Sequence, residues 1–110
     1  MQHILIKVYG HISPAGEALE CALRNEQPQK EDGTEALERN GDMLLISYEG
    51  MYYPIEEVVD IVRQALQPAT EGKIDYIDMD AWTLTRYTIS AGTMTEATRS
   101  LNHVMAYSGH

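Results

Sequence analysis

Seven side chains in two short stretches of this 110-residue chain could act together. Tyr9, His11 and Ser13 lie around a bend over Gly10–Pro14, and Tyr48, Glu49, Tyr52 and Tyr53 around another over Glu49–Pro54. A tyrosine presents a flat ring with a polar tip, which suits contact with a small organic ligand. His11 with Glu49 would make an acid–base pair. Neither bend has the glycine spacing that cradles phosphate.

Other reactive types are present in weaker patterns. Glu71, Asp75, Asp78 and Asp80 are a dense run of carboxylates, but their spacing does not fit the twelve-residue calcium loop. On a strand Asp75 points away from Asp78 and Asp80. The expected roles are turn chemistry for Asp80 and a cross-strand partner for Arg86 from Asp75 or Asp78. His3, His11, His103 and His110 are scattered, without the close ligand sets of a zinc site. Cys21 is alone, so no internal disulfide is available, and no base or helix N-terminus beside it would activate a thiolate. The sequence thus implies no metal and no cofactor. Trp82, Arg86 and Tyr87 are of the types that anchor protein interfaces. On an edge strand they would nucleate a dimer.

Composition narrows the classes. Eight basic residues against seventeen acidic ones give a net charge of −9, with no basic stripe. Nucleic-acid binding draws most of its affinity from Lys and Arg on phosphates, so it is excluded as an expectation. Anionic membrane surfaces are disfavoured for the same reason. No apolar run approaches membrane-spanning length, and the start of the chain does not read as a signal peptide. With a lone cysteine, these features point to a cytoplasmic protein. Residues 1–110 read as one globular domain, the default at this length.

The elements that must position the candidates follow from pattern. Residues 3–9 and 43–48 read as buried strands. Ser13-Pro14 opens a helix with Ala15, Leu19, Ala22 and Leu23 on one face. Residues 25–33 hold no large apolar side chain and read as a surface loop. Thr34 would cap a short helix over Glu35–Arg39, ended by Gly41. Pro54 opens a helix whose wide apolar arc, Ile55 to Leu66, calls for packing on a sheet. Residues 73–89 read as two strands with a turn near Asp80-Ala81, or as one long bulged strand. Thr93 and Glu96 fit a capping box, with Met94, Ala97, Leu101, Val104 and Met105 as the stripe of a final helix.

The order is therefore βαβαββα: an α/β or α+β domain with a mixed four-stranded sheet and helices packed on it. The first two strands should be parallel, and the two tyrosine-bearing bends should then share one sheet edge, where ligands bind in open α/β sheets. This element order is that of thioredoxin-like folds, in order alone. The position for a Cys-x-x-Cys motif reads Gly10-His11-Ile12-Ser13-Pro14-Ala15, so dithiol redox chemistry is excluded. A ferredoxin-like arrangement is the alternative. With no recognisable catalytic set, the leading expectation is a small acidic interaction or assembly domain, a homodimer without its own chemistry. The rival is a small-molecule binding protein or weak enzyme using the loops at 10–14 and 49–54.

Overall fold

Val8, Ile12, Leu44, Ile46 and Ile74 are almost wholly buried, and each alternates with a more exposed neighbour. That period of two makes strands with one face turned to a core. The computed structural model describes residues 4–30 and 32–102. Its elements are β1 (Ile6–Ser13), α1 (Glu17–Glu26), β2 (Leu37–Asn40), β3 (Met43–Gly50), α2 (Ile55–Gln64), β4 (Glu71–Asp78), β5 (Thr83–Ser90) and β6 (Thr93–Ser100). They form one six-stranded sheet in the order β2-β3-β1-β4-β5-β6. Every neighbouring pair is antiparallel.

The core lies between one sheet face and the helices. Leu23 of α1 and Val58, Val59 and Val62 of α2 join Val8, Ile12, Leu44, Ile46, Ile74, Tyr87 and Ile89 of the sheet. Gly10 faces the same way, in the middle of β1. A Cβ there would lie 2.7 Å from the Lys73 carbonyl oxygen and 3.1 Å from Ile74, so the β1–β4 approach requires glycine. The other sheet face carries Lys7, Tyr9, His11, Leu45, Lys73, Asp75, Leu84 and Arg86, by the register of the strands.

This α+β architecture corrects the expected four-stranded mixed sheet. The first six elements run β-α-β-β-α-β, with the sheet order β2-β3-β1-β4 of a ferredoxin-like arrangement, and β5 and β6 extend it. Neither four-stranded expectation describes the whole. The apolar strands β1 and β3 are antiparallel, with Ile6 opposite Gly50 and Ile12 opposite Leu44. The cause is β2. Its sequence, Leu-Glu-Arg-Asn, has one large apolar residue and reads as a helix end, yet it pairs with β3. Once β2 exists, the strand after α1 is β2, and β3 returns from it antiparallel.

Three helix assignments change, the short helix expected over Glu35–Arg39 being replaced by β2. Helix α1 begins at Glu17 with Gly16 as its N-cap, after the Ser13-Pro14 pair. The final helix expected from Thr93 is strand β6 up to Ser100, and its part from residue 103 onward lies outside the described residues. Ala91 and Gly92 take φ of 51° and 78°. Two consecutive positive φ values make the type I′ turn that matches strand twist, so the chain doubles back as a hairpin. Thr93, Thr95 and Thr98 then suit a strand, being β-branched. The segment over residues 73–89 is a hairpin too, with Asp78 opposite Thr83.

Candidate functional site

The antiparallel β1–β3 pair decides where the tyrosines go. The loop after β1 leaves one end of the sheet and the loop after β3 leaves the other. The two bends therefore do not meet. His11 lies opposite Leu45, and Glu49 opposite Lys7. Four residues of strand, roughly 13 Å, separate the proposed acid from its base. Ser13 sits at the far end of β1, opposite Glu71.

What the sheet does bring together is smaller. Tyr9 and Glu49 share the helix-free face, and the Tyr9 hydroxyl donates a short hydrogen bond to the Glu49 carboxylate. Burial, then that bond and the carboxylate's charge, push the Tyr9 phenol up to about 12. Tyr48 and Tyr53 belong to the helix side, with ring centroids 5.3 Å apart and planes tilted by 43°. The Tyr53 hydroxyl donates to Gln27 Oε1 at 2.8 Å, and Gln27 Nε2 donates to the Leu23 carbonyl at 3.0 Å. This chain ties the entry of α2 to the end of α1, and burial pushes the Tyr53 phenol up. Gln27 lies in the stretch read from sequence as a featureless loop. A lone glutamine gives no pattern that could reveal the bond.

Tyr52 is the exposed tyrosine of the set, at 66 %. With Ile4, Tyr48, Glu49, Met51 and Lys30 it lines an open cleft of about 570 Å3 between residues 28–30 with Asp32 on one side and 47–52 on the other. Ile4, Met51 and Tyr52 are among the few large apolar side chains left exposed.

The interface candidates separate as well. Tyr87 is buried on the helix side, and burial raises its phenol. Arg86 lies on the other face and forks onto Asp75, Nε to Oδ1 at 2.7 Å and a terminal nitrogen to Oδ2 at 3.0 Å. Asp78 instead shapes the β4–β5 turn, accepting the N–H groups of Asp80 and Ala81 at 3.0 and 2.9 Å. Trp82 ends that turn with φ of 58°, and its indole N–H donates to Asn102 Oδ1 at 2.9 Å. The edge on which these residues were expected belongs to β6, because β5 has β6 on its outer side.

Strand β6 is the feature that sequence reasoning missed. Seven of its eight residues are exposed, Met94 alone being half-buried. Its register with β5 is unbroken from Thr83–Ser100 to Ser90–Thr93. The two-residue turn closes on a hydrogen-bonded Ser90–Thr93 pair. The Leu101 N–H donates to the Trp82 carbonyl at 2.9 Å, which continues the same alternation at the strand's other end. Odd-numbered residues of β6 thus bond inward, and the backbone groups of Met94, Glu96, Thr98 and Ser100 face outward. The Ala91-Gly92 dipeptide before a threonine-rich stretch was the available signal.

At the opposite end from the cleft, Arg39 donates to the carbonyls of Ala15, Gly16 and Gly41 and to the Glu20 carboxylate. Hydrogen bonds from Arg39 and Arg24 hold the Glu20 carboxyl below its ordinary value. Cys21 is exposed. His3, His103 and His110 lie outside the described residues. Among the described residues no group of three His, Cys, Asp or Glu is placed to hold a metal ion, and no helix is long and apolar enough to cross a membrane. No family model, curated protein or solved structure matches the chain.

Proposed function

We propose that this chain is an assembly domain without chemistry of its own, and that it forms a homodimer by pairing β6 of one copy with β6 of another. The observation that carries this reading is the outer edge of β6, which no strand pairs with among the described residues. An edge strand offers its outward N–H and C=O groups as a template for another strand, and strand addition draws its affinity from those main-chain bonds. Protein edges are ordinarily blunted by lysine, proline, bulges or a covering element. Thr93–Ser100 contains no lysine and no proline, pairs with β5 without a bulge, and is exposed on both faces. Its own charges, Glu96 and Arg99, cancel, although each copy carries −9 in total. The cytoplasm suits such an assembly, since the exposed Cys21 meets no oxidising pressure there.

Light scattering coupled to size exclusion tests the reading. A species of twice 12.4 kDa is expected at micromolar concentration. Thr98→Pro removes one outward donor and no inward one, and should shift the protein to the single-chain mass with its circular dichroism retained. A wild-type protein that runs only as one chain would sink the idea.

The cleft beside Tyr52 favours a second reading, a small-molecule site that uses the 47–52 stretch without the 10–14 loop. Its mixture of apolar and polar lining is what such sites show. A thermal-shift screen with metabolites should then give a hit that Tyr52→Ala abolishes.

A further inference from the structure

The β6 edge also specifies how two copies would meet. We infer that the dimer's two-fold axis passes through Ala97, with residues 94–100 of each strand paired. This inference rests on the assembly reading above and adds the register to it. Two antiparallel copies of one edge strand are related by an axis perpendicular to the sheet. Residues directly opposite each other then share a sheet face. In β6, Glu96 lies opposite Tyr87 on the helix side and Ala97 opposite Arg86 on the other, so even pairs with even and odd with odd. The axis must therefore fall on a single residue.

Length and charge choose among the residues. Axes on Thr95, Thr98 or Arg99 pair only 93–97, 96–100 or 98–100, and leave outward groups of β6 without partners. An axis on Glu96 pairs 93–99 but sets the two Glu96 carboxylates directly opposite, where like charges are destabilising. An axis on Ala97 pairs 94–100, so the backbone groups of Met94, Glu96, Thr98 and Ser100 all find partners. Glu96 then faces Thr98 of the second copy, Arg99 faces Thr95, and Met94 faces Ser100. Each charge meets a hydroxyl, and the smallest side chain sits on the axis. Ala97 bonds inward to β5, so its pair with the second Ala97 is a non-hydrogen-bonded one. Such pairs bring Cα atoms to about 4.5 Å, within the range a disulfide spans.

Cysteine cross-linking reads this register. In full-length protein carrying Cys21→Ser, Ala97→Cys should convert most of the chain to a disulfide-linked dimer under mild oxidation. Thr95→Cys lies on the same face, but its mate is Arg99, and it should stay mostly unlinked. Light scattering on both reduced variants separates the two layers of the argument. Dimers in which Thr95→Cys cross-links and Ala97→Cys does not would overturn the register alone, as would dimers in which neither links. A single-chain mass in wild type and variants would overturn the assembly reading and the register with it.

Discussion

Strands β1 and β6 each have eight residues, and they live in opposite surroundings. β1 has a neighbour on both sides, helices over one face, and Ile6, Val8 and Ile12 in the core. Among the described residues β6 has one neighbour, and Met94 is its only residue not fully exposed. The fully buried part of the core on the helix side ends at Tyr87 and Ile89 of β5, and Met94 of β6 packs against its margin. The difference teaches that a strand can be held in two ways. Burial holds β1, so its side chains matter. A turn and a ladder of backbone bonds hold β6, with the Thr85–Thr98 hydroxyl pair and the half-buried Met94 as its side-chain contacts to the fold, so its outer backbone stays available.

Substitution should expose that contrast. Ile74, fully buried beside β1, should lose about 2–5 kcal/mol of stability as Ile74→Ala, whereas Thr93→Ala, exposed and outside the 94–100 pairing, should stay within about 0.5 kcal/mol, both read by urea denaturation. Comparable losses would mean that β6 is packed against something. Gly10→Ala should cost about 1–3 kcal/mol, because its methyl group is forced onto the backbone of β4. Tyr53→Phe should cost about 1 kcal/mol by breaking the bond to Gln27 while leaving the ring in place.

The smallest effect concerns acid. The Glu20 carboxyl titrates below its ordinary value of 4.5, chiefly through the Arg39 bond. A lowered folded-state value gives stability that is present above the ordinary value and is lost as pH falls through the folded one. Unfolding free energy should therefore drop between pH 5 and the folded value in the wild type, and less steeply in Glu20→Gln. Equal slopes would show that the contact contributes nothing.

The legible parts of this fold were those held by burial. The apolar runs of β1 and β3 and the arc of α2 follow from side-chain pattern, and so does the extended character of 73–89, which the pattern leaves open between a hairpin and one bulged strand. An acidic cross-strand partner for Arg86 follows from it as well, with Asp75 and Asp78 both eligible, and the structure pairs Arg86 with Asp75. What escaped was held by backbone pairing or single polar contacts. β2 announces itself through one leucine, and Thr93–Ser100 satisfies helical spacing as well as a strand's alternation. Missing β2 reversed the direction assigned to β3, and with it the expectation that the bends at 10–14 and 49–54 share one sheet edge. Glu49 instead meets Tyr9, because the two residues are diagonal neighbours across one strand pair.

The Arg39 fork has a consequence for tolerated variation. One planar guanidinium reaches the carbonyls of Ala15 and Gly16 in one connection and of Gly41 in the other, and the Ala15 N–H donates back to the Asp42 carbonyl at 2.8 Å. Those two connections behave as a joint whose halves must keep their lengths together. A residue inserted at 14–16 pulls its carbonyls away from the fork unless the 41–42 bend shifts to meet them. A lysine at 39, with a single point of charge, cannot span both sides.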